Sequence, residues 1–322
     1  RSISASSRAA RASPALAEPR SIAARRSTSS RVAAAIVTGE RMPERSPARG
    51  ALRGRPARGR AHVAGEAARY GARVSLHPLA ERFASVTAEY ERGRPDYPPA
   101  VVGALAAELH LAPGARVLDL AAGTGKLTRA LLAGGLDVLA VEPQAALRDV
   151  LAERIGSERV RDGLAEAIPF ADDTFAAVTV SDAFHWFDHA PALAEIARVL
   201  RPGGGLCVVW TAPDWGGATW AHELGTLMAT LRPEHPGFDG PPWQDAARES
   251  GRFGEPREIR LTASRPADPA LIVDHVASMS WIAAMPDDER SERLAQMRAL
   301  IEAGETPEQM PVHFVLAITQ LL

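Results

Sequence analysis

The densest chemistry in the sequence lies in Val117-Leu118-Asp119-Leu120-Ala121-Ala122-Gly123-Thr124-Gly125. A turn between a buried strand and a helix uses glycine where the backbone bends tightly and lies against a ligand, and the carboxyl edge of a parallel sheet is the binding crevice. A phosphate-binding P-loop is excluded, because Lys126 is followed by Leu127 and Ala121 stands where that motif needs glycine. The dinucleotide pattern G-x-G-x-x-G is met at Gly123 and Gly125 but has Thr128 at its third glycine. Asp119, at the strand end, would repel a pyrophosphate and attract a ligand carrying an ammonium and a sulfonium. Glu142 follows 23 residues later, at the end of the next apolar run, where a carboxylate can accept from both hydroxyls of a ribose. His185, in Ser181-Asp182-Ala183-Phe184-His185-Trp186, has two readings: a general base titrating near neutrality, or a wall that packs with Trp186 around a substrate. Phe184, Trp186 and Phe187 suit an apolar rim or ordinary core. Arg94 is either one half of a solvated ion pair or a bidentate partner for a carboxylate.

Strands alternating with helices must position these residues. Helical spacing is expected over Leu79–Glu91 and Pro98–His110, separated by the elbow Arg94-Pro95-Asp96-Tyr97-Pro98-Pro99. Strands are expected at Arg116–Leu120, Val138–Val141, Arg159–Arg161, Phe175–Ser181 and Leu206–Trp210, with helices at Lys126–Ala133, Gln144–Ile155 and Ala190–Leu200. This alternation predicts an α/β, doubly wound parallel sheet with right-handed crossovers. Further on, Trp220–Leu231, Pro269–Met285 and Glu289–Ala303 read as helices, Arg257–Thr262 as a sixth strand and Pro311–Ile318 as a seventh.

The chain has 322 residues and a formal net charge of −2, but residues 1–75 hold 16 Arg against 4 Glu, a net of +12, which leaves −14 for the remainder. Only 11 of those 75 positions carry Ile, Leu, Val, Met or an aromatic ring, so residues 1–75 are expected to be a disordered basic leader. A transit peptide and a nucleic-acid-binding tail compete with an unstructured extension for that leader. Because 36 of the 37 basic residues of the whole chain are Arg, arginine richness in the leader is weak support for phosphate binding, and no nucleic-acid partner is expected. The single cysteine, Cys207, excludes a disulfide framework and points to a reducing, cytoplasmic setting. No segment is apolar for the ~20 residues a membrane span needs, and the histidines lack metal-ligand spacing, so neither membrane nor metal is expected.

Six blocks in order carry a family resemblance: Tyr90-Glu91-Arg92-Gly93-Arg94-Pro95-Asp96-Tyr97-Pro98, the glycine turn, Val141-Glu142-Pro143, Ala165-Glu166-Ala167-Ile168-Pro169-Phe170, Phe184-His185-Trp186-Phe187-Asp188 and Leu200-Arg201-Pro202-Gly203-Gly204. Over residues 79–211 the sequence resembles the class I S-adenosylmethionine-dependent methyltransferases, in the small-molecule branch with a type 11 domain that includes the trans-aconitate and ubiquinone/menaquinone enzymes. The resemblance implies a Rossmann-like seven-stranded sheet whose last strand is antiparallel. It also implies a methyltransferase domain over 76–322, divided into a cofactor core at 79–211, substrate-lid insertions at 212–310 and a final strand at 311–322. It assigns S-adenosyl-L-methionine to Tyr90, Arg94, Asp119, Gly123, Thr124, Gly125, Glu142, Ala165 and Glu166. Asp119 would serve the ammonium through the turn, Glu142 the ribose, and the Ala165 backbone the adenine. Leu164 stands where relatives often carry Asp, with Glu166 a possible substitute. His185 and Trp186 would face a small organic acceptor, methylated on a carboxylate or hydroxyl oxygen ahead of carbon. An NAD(P)-dependent oxidoreductase is the rival enzyme, and a nucleic-acid-associated protein the rival of another class. Oligomeric state is not legible.

Overall fold

A computed structural model describes residues 76–322; the expected leader, residues 1–75, lies outside the described residues. Seven strands form one sheet: β1 (Arg116–Leu120), β2 (Asp137–Val141), β3 (Val160–Arg161), β4 (Phe175–Ser181), β5 (Leu200–Pro213), β6 (Arg257–Pro266) and β7 (Gln309–Gln320). Their order is β3-β2-β1-β4-β5-β7-β6. The first five run parallel, β7 pairs antiparallel with β5, and β6 pairs antiparallel with β7. The strand order reverses between β1 and β4, and this is the switch point at which an open parallel sheet leaves a crevice beyond its carboxyl ends.

Side chains alternate across the sheet. Leu118 and Leu120 of β1 pack with Val178 and Val180 of β4 under Leu193 and Ile196 of helix His189–Val199. Val117 points the other way and joins Val138, with Leu127 and Leu131 of helix Lys126–Ala133. All ten of those core aliphatics are at most 2 % exposed. Burying a side chain of this size contributes roughly 1.5–3 kcal/mol each. A third cluster lies outside the sheet and joins Trp220, Leu224, Ile272, Val276, Ile282 and Met297 from the helices that follow β5.

Several boundaries move. Leu79–Glu91 is a 3-10 helix, Ala80–Val86, followed by an α-helix, Thr87–Gly93. Pro269–Met285 breaks into Pro269–Ala277 and Ser280–Ala283, because Ser278 N–H closes the first helix on Asp274 and Met279 is extended. Strand β5 starts at Leu200 rather than Leu206, so Arg201-Pro202-Gly203-Gly204, expected between the preceding helix and the strand, lies within the strand span and bulges against β4. Helix Trp243–Ser250 has no counterpart in the sequence reading, although it buries Trp243 and Ala247 against the core.

Candidate functional site

The carboxyl ends of β1, β2 and β4 open into a cleft of about 830 Å³. Its wall brings together Tyr90, Arg94, Gly123, Glu142, Ala165, Glu166 and Trp186. Asp119, Thr124, Gly125 and His185, also expected at the site, do not line this cleft.

Each of the latter has a visible structural engagement. Asp119 is 1 % exposed, and its two oxygens accept from Thr128 Oγ1 at 2.6 Å and Thr179 Oγ1 at 2.9 Å. It therefore ties β1 to β4 and to the helix after the turn, supporting the turn from behind. Burial pushes its carboxyl up to about 6, with the two threonine bonds opposing that shift. The same contact explains why Thr128 replaces the third glycine of the dinucleotide pattern. Gly125 has φ +86°, and a Cβ there would sit 2.4 Å from Leu151 Cδ1, so glycine lets the turn close on helix Ala145–Ile155. Thr124 is fully buried.

Glu142 is the center of the cleft floor. It is 3 % exposed, with Oε2 accepting from Gly123 N at 2.8 Å and Oε1 from Gln144 N at 2.9 Å. The strand-end acid is thus bonded directly to the glycine turn. Burial pushes its carboxyl up to about 7, while the two backbone N–H groups favour its charged form. Two further lone-pair positions remain for a ligand. Gly123, at φ +59°, faces the Tyr90 hydroxyl, which would lie 3.7 Å from a Cβ at that position. Arg94 lies over the Tyr90 ring at 5.3 Å and donates from Nε to Ser278 Oγ at 2.9 Å. The elbow arginine therefore joins the Tyr90 side of the cleft to the C-terminal helices rather than pairing with an exposed acid.

At the other end, Ala165 is 4 % exposed, and Leu164 pairs with Ala167 in an isolated antiparallel bridge. Glu166 accepts from Asp188 N at 2.8 Å, and burial raises its pKa. Trp186 meets Phe83 edge-on at 6.1 Å. His185 lies behind Trp186, stacked on Trp210 at 5.3 Å and 5.4 Å from His235. Burial, reinforced by neighbouring cationic groups, holds its pKa well below the usual histidine range, so it is neutral.

Two cleft residues escaped the sequence reading. Gln144 donates to Ala80 O at 3.0 Å and accepts from Ala84 N at 3.2 Å, fastening the N-terminal 3-10 helix over the cleft. Asp182 lines the cleft one residue past β4. Its signal in the sequence is its place immediately after the apolar strand β4.

The chain is matched by relatives over most of its length. A methyltransferase-domain family model matches residues 118–208. An uncharacterized methyltransferase of Mycobacterium tuberculosis is 39% identical over 227 residues, covering 70% of this chain and 88% of that protein. The chain belongs to the S-adenosylmethionine-dependent methyltransferases. The match sets aside the oxidoreductase alternative. An uncharacterized methyltransferase-like protein of Schizosaccharomyces pombe is 30% identical, covering 67% of this chain and 84% of its own length. Among solved structures, a putative type II methyltransferase from Anaeromyxobacter dehalogenans superposes with TM-score 0.47 at 23% identity, covering 70% of this chain and 97% of that one.

The methyltransferase site fits its cofactor by its donor set. Glu142 offers a charged acceptor at the turn, Gly123 leaves room beneath Tyr90, and Arg94 supplies a cation to the same wall. No helix among the described residues is long and apolar enough to cross a membrane, and no group of His, Cys, Asp or Glu among them is arranged to hold a metal.

Proposed function

We propose that this methyltransferase acts on a small organic acceptor at oxygen, within the small-molecule branch that its motifs resemble, and in a cytoplasmic setting. The observation that carries the placement of the cofactor is the bond from Gly123 N to Glu142 Oε2 at the floor of an 830 Å³ cleft. Glu142 accepts from the ribose hydroxyls, the Ala165 backbone and Glu166 border the adenine, and Arg94 with Tyr90 holds the methionine end. Asp119 and Gly125 act one layer back, by fixing the turn. When bound, S-adenosylmethionine supplies an electrophilic methyl group on a sulfonium.

The protein's part is to align the acceptor for in-line displacement and to exclude water. The aromatic side chains Phe83 and Trp186 give the cleft an apolar border suited to a planar acceptor. His185 is read as support for Trp186, since its ring stands outside the cleft wall. The helices between β5 and β7 are read as the acceptor lid, because their Ser278 holds Arg94. Calorimetric titration with S-adenosylhomocysteine, followed by a screen of phenols, alcohols and carboxylic acids for S-adenosylhomocysteine release, tests this. Tight binding with transfer to oxygen is the expected result; transfer to carbon or nitrogen alone would refute the oxygen assignment.

A further inference from the structure

We propose that Asp182 is the carboxylate that receives the acceptor's proton, and that the acceptor is a neutral molecule methylated on an acidic hydroxyl of phenolic type. The proposal rests on the cofactor placement given above and narrows the oxygen acceptor from carboxylate or hydroxyl to hydroxyl.

Asp182 is one of four non-glycine residues with positive φ among the described residues, at +49°, a left-handed conformation that persists where surrounding structure holds it. The holding contacts are visible. Asp182 N–H donates to Val209 O at 2.9 Å, while Oδ1 accepts from Thr211 N at 2.9 Å and Oδ2 from Thr211 Oγ1 at 2.5 Å. The carboxylate is thereby anchored to β5, and each oxygen keeps a second lone pair.

Its position is the second observation. Asp182 lines both the cofactor cleft and an adjoining polar pocket of about 350 Å³ that includes Tyr90, Tyr97, Ser181 and Thr211. It therefore stands where the two spaces meet. The other groups able to take a proton serve the cofactor in the reading above or lie elsewhere: Glu142 meets the ribose, Glu166 borders the adenine, and His185 lines neither space. Tyr97 is hydrogen-bonded to Ser181.

Charge then selects the acceptor class. Among the described residues, the cleft wall carries the carboxyls of Glu142, Glu166 and Asp182 against one cation, Arg94. Arg94 is shared with Ser278 and, in the reading above, with the cofactor's own carboxylate. Lys126 of the polar pocket is paired with Asp96 at 2.8 Å. A carboxylate acceptor would approach an acid-rich wall with no unassigned cation among the described residues to meet it. A hydroxyl instead donates to Asp182. As the acceptor oxygen bonds to the methyl carbon, the methyl–sulfur bond breaks with its electron pair going to sulfur. The hydroxyl proton passes to Asp182 and then to water. A carboxylate base suits an acidic hydroxyl better than an aliphatic alcohol, because proton transfer improves as the two acidities approach one another.

The test uses the full chain with Asp182→Asn, since asparagine also tolerates the left-handed backbone. Matched pairs, phenol with benzoate and 2-naphthol with 2-naphthoate, are compared as methyl acceptors by S-adenosylhomocysteine release, and S-adenosylhomocysteine affinity is measured by calorimetry. Wild type should methylate the hydroxyl member of a pair. Asp182→Asn should lower kcat at least ~100-fold while the S-adenosylhomocysteine Kd stays within about threefold. Transfer to the carboxylates only, transfer to no hydroxyl, or kcat within about fivefold of wild type in Asp182→Asn would each overturn the proposal. A tenfold weaker S-adenosylhomocysteine Kd in Asp182→Asn would also overturn it, by assigning the carboxylate to the cofactor's ammonium. Absence of S-adenosylhomocysteine binding by wild type would instead sink the cofactor placement beneath it.

Discussion

Replacing Glu142 by Gln isolates the cofactor contribution of one carboxylate. In the wild type both oxygens accept backbone hydrogens, from Gly123 at 2.8 Å and Gln144 at 2.9 Å. A glutamine side chain has one acceptor oxygen, and its NH₂ must face either the Gly123 or the Gln144 N–H, leaving one buried donor unpaired at about 1–3 kcal/mol. It also offers a donor to a ribose hydroxyl where a charged acceptor stood, removing a bond of about 1.5–3 kcal/mol. The first cost is present in the free protein as well and lowers its stability, so only the second enters binding: about 1.5–3 kcal/mol, on the order of 10–10² in Kd for S-adenosylhomocysteine. The pH profile supplies a second signature. Burial pushes the Glu142 carboxyl from its ordinary 4.5 up to about 7. Its contribution to the stability of the free protein is complete below 4.5 and is lost as pH rises through 7, since the charged form is the one burial disfavours. Ribose binding needs that charged form, so affinity runs the other way, rising as pH passes through about 7 and levelling above it. Titration calorimetry between pH 6 and 8.5 should show this rise in wild type and a flat, weak profile in Glu142→Gln. A Kd within threefold of wild type, or an unchanged profile, would refute the assignment.

Two further substitutions test the supports around the cleft. Asp119→Ala should lower the free energy of unfolding by about 1–3 kcal/mol, because it strands the buried hydroxyl of Thr128 and leaves Thr179 only Leu118 O; urea denaturation within 0.5 kcal/mol of wild type would show that this carboxylate does not hold the turn. Gly93→Ala should lower Tm by several degrees, since its Cβ would fall 2.2 Å from His275 N and force apart helices Thr87–Gly93 and Pro269–Ala277. An unchanged Tm would mean that this close approach is not maintained in solution.

The parallel core of the sheet was legible because β1, β2 and β4 are short, apolar and separated by helices, as Lys126–Ala133 separates β1 and β2. Glu142, Gly123 and Ala165 were legible through motif order, and the cleft gathers them. The helix Trp243–Ser250 was not, because four of its eight residues are charged or amide-bearing on one face and only Trp243 and Ala247 are buried, too few to set a period. The break at Ser278–Met279 was likewise invisible, since Pro269–Ala277 and Ser280–Ala283 are both apolar and only the backbone geometry separates them.

Asp119 and Asp182 show why residue type and strand-end position were insufficient to distinguish a support from a cleft residue. Both are acids near the carboxyl ends of neighbouring strands, and the sequence singled out the first. Alternation of side chains along β1 sends Asp119 to the face of Val117, beneath helix Lys126–Ala133, where Thr128 and Thr179 enclose it. Asp182 lies one residue beyond β4, and its left-handed backbone releases it from strand alternation and places it in the wall of both cavities. A strand-end acid inside the regular pleat braces the sheet; one that has left the pleat can meet a ligand. That distinction depends on φ and on cross-strand partners up to 60 residues away, as Thr179 is from Asp119, and neither quantity is carried by local spacing.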